Sequence, residues 1–100
     1  MKTLALIITT DRCPEQVWSL AQTANAKKLQ VRIHLAGPAV RLIREPGFRQ
    51  LARRAAITIC TESASSFLTD KDHRIEYSQW LTPPDQMARL IAQCDRHLVL

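Results

Sequence analysis

Short aliphatic, β-branched runs alternate with helical patterns along the whole chain, and this alternation limits the available folds more than any other feature. Residues 3–9 read as a first strand, closed by Thr10-Asp11-Arg12-Cys13-Pro14. Proline suits the first turn of a helix, so Pro14 marks a start with Cys13 at or near its cap, and Glu15 adds a favourable charge. Val17, Trp18, Leu20, Ala21 and Ala24 recur at helical spacing until Lys27-Lys28. Val31, Ile33 and Leu35 alternate with Gln30, Arg32 and His34, which predicts a strand with one wetter face, an edge in the simplest reading. After the turn 36–39, Val40, Leu42, Ile43, Phe48, Leu51 and Ala52 form a helical stripe that Pro46-Gly47 divides in two.

Residues 55–60 carry no charge and centre on Ile57 and Ile59, as expected of a central strand covered on both faces. A short helix from Ser63 to about Leu68, a polar loop over 69–73 and a brief strand at Ile75-Glu76-Tyr77 follow. Thr82-Pro83-Pro84-Asp85 reads as a helix opener, with threonine as cap and a carboxylate three residues on. Met87, Leu90, Ile91 and Cys94 share one face of that helix, and residues 97–100 make a last strand. The alternation predicts a three-layer α/β/α sandwich with a mainly parallel, flavodoxin-like five-stranded sheet. A strand order of 2-1-3-4-5 would set the first and third strands side by side and bring Cys13 and Cys60 to one switch-point crevice.

The 100 residues are expected to form a single domain spanning 1–100, with 46% hydrophobic and 23% charged residues, as in ordinary globular proteins. No apolar run approaches a membrane span, and the run after Met1-Lys2 is too short for a signal peptide, so a cytoplasmic protein is expected. Cys13, Cys60 and Cys94 are odd in number and irregular in spacing, which fits reduced thiols rather than a disulfide framework or a zinc site. A net charge of +5 fits an acidic or nucleic-acid partner, or simple solubility.

Cys60 is the candidate of greatest interest. It ends a strand, and Thr61, Glu62 and Ser63 follow with side chains that open a helix. Ligands bind at that edge of open α/β sheets, and a helix start favours thiolate. A reactive thiol and a small buried core residue are both open readings.

The chain resembles the DsrE/DsrF-like family of small sulfur-relay proteins over most of its length. The similarity is carried by Lys2-Thr3-Leu4-Ala5-Leu6-Ile7-Ile8-Thr9-Thr10, by Val31-Arg32-Ile33-His34-Leu35-Ala36-Gly37-Pro38-Ala39-Val40, by Ala56-Ile57-Thr58-Ile59-Cys60-Thr61-Glu62-Ser63-Ala64 and by Asp95-Arg96-His97-Leu98-Val99-Leu100. The resemblance implies an α/β/α sandwich that assembles as a homo- or hetero-oligomer. It also implies that Cys60 carries sulfur as a persulfide between a donor and an acceptor protein. A non-catalytic oligomerisation or partner-binding subunit of such a relay is the alternative. The chain departs from the family at Lys28-Leu29 and Ala39, where glycines are frequent, and at Phe67-Leu68-Thr69, where an arginine-glycine pair is common.

With the resemblance, Cys60 becomes the expected sulfur acceptor, and the N–H groups after Thr61 are expected to stabilise the persulfide anion. Cys13 is either an assisting thiol or a helix-start residue with no chemistry, and Cys94 belongs to the apolar stripe of the last helix. His34, His73 and His97 form no ligand pattern, and Asp70 with Asp72 reads as a solvated loop, so no metal is expected. Only Gly37 and Gly47 are glycines, so no phosphate loop and no nucleotide cofactor are expected. Arg41, Arg44, Arg49, Arg53 and Arg54 make either a solvated helix face or a docking surface. Aromatics are not interleaved with them, which argues against nucleic acid. Trp80 is open between core plug and subunit contact.

Overall fold

The structure is a computed structural model and describes residues 2–72 and 74–100, Ile75 through its backbone alone. Met1 and His73, the latter expected in a loop, lie outside the described residues. The elements are β1 (Thr3–Ile8), α1 (Pro14–Ala26), β2 (Gln30–Leu35), a 3₁₀ helix (Gly37–Arg44), α2 (Phe48–Arg54), β3 (Ala56–Cys60) and α3 (Thr61–Phe67). There follow α4 (Arg74–Tyr77), a 3₁₀ turn (Ser78–Trp80), β4 (Leu81–Thr82), α5 (Gln86–Gln93) and β5 (Arg96–Val99). The five strands form one sheet in the order β4-β3-β2-β1-β5, every pair parallel. This is a three-layer, flavodoxin-like α/β arrangement.

The sheet steps from β1 to β4 in one direction, and right-handed crossovers put the intervening helices on one face. α1 packs on α2 there, and α3 on the 3₁₀ helix. The return from β4 to β5 crosses the other way and sets α5 on the opposite face, against β1. Alternation along the strands assigns side chains to faces. Leu4, Leu6, Ile8, Val31, Ile33, Leu35, Ile57 and Ile59 meet the four-helix side and form the main core. Ala5, Ile7, His34, Thr58 and Cys60 point to the α5 side.

Pro14 opens α1 behind Cys13, as its ring geometry favours, and the helical stripe breaks at Pro46-Gly47. The first half of that stripe is a 3₁₀ helix that begins within the expected turn, at Gly37. Gly37 has φ +58, a left-handed conformation that glycine alone adopts without strain. Gly47 is required by space: a Cβ there would run into the Trp18 indole, with Cδ1 3.0 Å away. Trp80 packs edge-on against Phe48, ring centroids 5.3 Å apart, and is a core plug of this side.

Several expectations are corrected. The strand order is not 2-1-3-4-5: β2 lies between β1 and β3, and the switch falls at β1, between β2 and β5. β2 is therefore interior, and its expected wetter face is exposed at Gln30 and half-buried at Arg32 but closed over His34. β3 is fully covered on one face and only partly on the other, where Ala56 is exposed, Thr58 half-buried and Cys60 buried. Residues 75–77 are helical, and the fourth strand is Leu81–Thr82. Thr82 does not cap α5, because its hydroxyl donates to the Ile59 carbonyl across β3–β4 at 3.3 Å, and Asp85 holds the cap position. No helix among the described residues is long and apolar enough to cross a membrane.

Candidate functional site

The junction of β3 and α3 brings together all the residues of the expected thiol site except Cys13. Cys60 is the last residue of β3 and, at φ −64 and ψ 125, turns the chain directly into α3, whose first three residues are Thr61, Glu62 and Ser63. The first amides of a helix have no partner within it, so backbone N–H groups follow the thiol immediately. No side chain caps this helix. Ser63 instead accepts a 2.8 Å hydrogen bond from the Gly37 N–H, which ties the turn after β2 to the start of α3.

Cys60 pairs with Thr82 of β4 at the carboxyl edge of the sheet. It points to the α5 side, apart from the main aliphatic cluster, and the residue keeps 9% of its surface accessible. The thiol is shielded but stands at the rim. Cys13 is exposed at the cap of α1, and Cys94 is half-buried at the end of α5; all three are free thiols. With β2 between them, β1 and β3 run about 10 Å apart. Cys13 and Cys60 therefore do not share the switch-point crevice that adjacency of their strands would have made.

A pair that sequence reasoning missed lies on the same face as Cys60. His34 is 1% exposed, and its Nδ1 is 2.7 Å from Thr58 Oγ1, the residue opposite it in the β2–β3 register. Burial pushes the imidazole pKa below its usual value, so the ring is held neutral. The alternation of His34 and Thr58 with isoleucines was the available signal, but their meeting depends on strand order and register.

The acidic loop differs from expectation at Asp72, while Asp70 and the arginines keep much of their surface in solvent. Asp72 is not solvated: its side chain is 7% exposed and receives Arg44 Nε at 2.7 Å, Arg44 Nη2 at 2.9 Å and the Thr69 N–H at 2.7 Å. The Arg44 guanidinium, with Thr69, lowers the Asp72 pKa from 3.8 to about 2. Arg49 pairs with Glu76 at 3.2 Å, and Arg41 lies 3.8 Å from Asp11 and over the Phe67 ring. These arginines strap the 3₁₀ helix and α2 to other segments of the chain. No cluster of potential metal ligands occurs among the described residues.

Fold and site together define a parallel α/β protein with a free thiol at the end of an interior strand. Comparison with known proteins found no matching family model, no matching curated protein and no matching solved structure.

Proposed function

We propose that the chain is a cytoplasmic sulfur-relay protein that accepts sulfur as a persulfide on Cys60 and passes it to a partner protein. The observation that carries this reading is the position of Cys60 at the carboxyl rim of the sheet, next to the first amides of α3. The resemblance of residues 56–64 to the DsrE/DsrF-like strand, cysteine and helix start supports it. In the step, the Cys60 thiolate attacks the outer sulfur of a donor cysteine persulfide. The donor S–S bond breaks, the donor leaves as thiolate, and Cys60 becomes the persulfide with no net oxidation. An acceptor thiol repeats the exchange. The amides at Thr61, Glu62 and Ser63 favour the anionic persulfide, and Cys13 is a second thiol for assistance. No cofactor takes part.

A second reading, a non-catalytic oligomerisation or partner-binding subunit, is favoured by one observation. β5 is an edge strand exposed along its whole length, with Leu98 45% and Val99 60% exposed on opposite faces. Incubation with a persulfide donor followed by peptide mass spectrometry separates the two. A gain of one sulfur on Cys60, absent in Cys60→Ser and retained in Cys13→Ser, is the expected result. A folded protein that gains none on Cys60 leaves the second reading.

A further inference from the structure

The surplus positive charge of the chain gathers at one end of the sheet. All strands are parallel, so the segments that lead into them converge at the amino-terminal end. Lys2 precedes β1, Lys27 and Lys28 precede β2, Arg53 and Arg54 precede β3, and Arg96 opens β5. Asp95 is the single carboxylate among these lead-in residues, hydrogen-bonded to the Thr3 N–H at 2.7 Å. The sequence holds 14 Lys and Arg and 9 Asp and Glu, so removing these six cations and one carboxylate leaves eight of each sign. The whole +5 is therefore found here, and the remainder of the chain is balanced. The helix C-termini of α1, α2 and α5 also end here, but three such dipole ends amount to about one and a half negative charges between them, far short of the six cations.

Lys28, Arg53 and Arg54 line an open groove of about 520 Å³ together with the aliphatic Leu29, Ala55 and Ala56. All three cations are exposed, and none has an ion-pair partner among the described residues. We propose that this end of the sheet is a docking surface for an acidic polypeptide segment, its carboxylates meeting Lys28, Arg53 and Arg54 and its aliphatic side chains lying in the groove. Charge complementarity selects an acidic partner, and the aliphatic lining without aromatics favours a polypeptide over a single-stranded nucleic acid, whose bases stack on aromatic side chains. Among the described residues no aromatic side chain lines the groove. The length of β3 sets this surface about 13 Å from the Cys60 rim, so a segment bound here leaves the thiol free.

The full chain is titrated into a fluorescein-labelled peptide of repeated Glu-Glu-Leu, and anisotropy is followed. Binding that weakens several-fold between about 50 and 200 mM salt is expected. The double variant Arg53→Glu/Arg54→Glu should weaken it by about tenfold or more, and Arg12→Glu/Lys71→Glu, with the same change in net charge, by less than about twofold. Circular dichroism checks that both variants are folded, and Lys28→Glu repeats the test at a third position. Equal losses in the two double variants, no binding at low salt, or tighter binding of an oligothymidylate of equal charge would overturn the proposal. None of these results bears on whether Cys60 accepts sulfur.

Discussion

The two faces of the sheet are built from the same three interior strands, yet they hold the fold by different means. On the face covered by α1, the 3₁₀ helix, α2 and α3, every inward position of β1, β2 and β3 is Leu, Ile or Val. On the other face the α5 layer is one eight-residue helix with Leu90 as its buried residue. Beneath and beside it the inward side chains include Ala5, His34, Thr58 and Cys60. The first face is specified by apolar area alone. The second carries hydrogen-bonded, titratable and nucleophilic groups, and leaves part of β3 uncovered. A parallel sheet normally needs both faces buried; here the second face is buried at Ala5, Ile7, His34 and Leu90 but mixes polar groups into its cover and thins out at Ala56 and Thr58.

The largest test of that contrast is truncation of a residue on each face. Ile33→Ala removes a fully buried side chain from the main core and should cost about 3 kcal/mol, read as a shift of the urea midpoint. Thr58→Ala on the other face should cost about 1 kcal/mol, chiefly through the hydrogen bond to His34. Equal losses would mean that the second face is as much a core as the first. Gly47→Ala comes next. Its methyl meets the Trp18 indole where α1 packs on α2, so the helical cover must shift, at about 2 kcal/mol.

The strap between the 3₁₀ helix and the loop after α3 gives a smaller, pH-dependent effect. Asp72 has a folded pKa of about 2 against 3.8 for the free carboxyl. A depressed carboxylate stabilises the fold above the unfolded value and loses that contribution as pH falls through the folded one. Because Arg44 is 44% exposed, solvent screening reduces the effect to about 1 kcal/mol. Thermal melts should therefore show Asp72→Asn destabilised at pH 6 but matching the parent near pH 2, within about 0.5 kcal/mol.

What the sequence disclosed follows from whether a feature is local. The helix start at Pro14, the break at Pro46-Gly47 and four of the five strands rest on short-range patterns, and they are where residue chemistry puts them, whereas α3 opens at Thr61, two residues before the expected Ser63. Strand order depends on crossover directions, which no local pattern encodes, so β2 intervened between β1 and β3 unannounced. Ile75 and Tyr77 are too few to distinguish strand from helix by periodicity. The cap role of Thr82 was lost to a tertiary contact, its hydroxyl reaching Ile59 on the neighbouring strand. At the candidate site the Cys60–Ser63 junction was legible because it is contiguous. The His34–Thr58 pair was not, because it exists only once β2 and β3 are in register.

His34 provides the smallest and sharpest test, since it asks whether the second face is truly closed around a neutral imidazole. Burial lowers its folded pKa below the 6.5 of a free imidazole. At high pH both folded and unfolded states are neutral, and the fold keeps its full stability. As pH falls through about 6.5 the unfolded chain takes up a proton that the folded one resists, so stability drops with decreasing pH. One proton sets the ceiling at about 1.4 kcal/mol between pH 7.5 and 5.5. The Asp72 contribution changes only at more acid pH, so the two windows are separate. Asn at this position keeps a polar atom near the place of Nδ1 and cannot titrate there, so His34→Asn should flatten the slope between pH 7.5 and 5.5 while leaving the acid-side loss intact. An unchanged slope in the variant would show that water reaches this face in the native protein, and that the contrast between the faces is one of composition but not of burial.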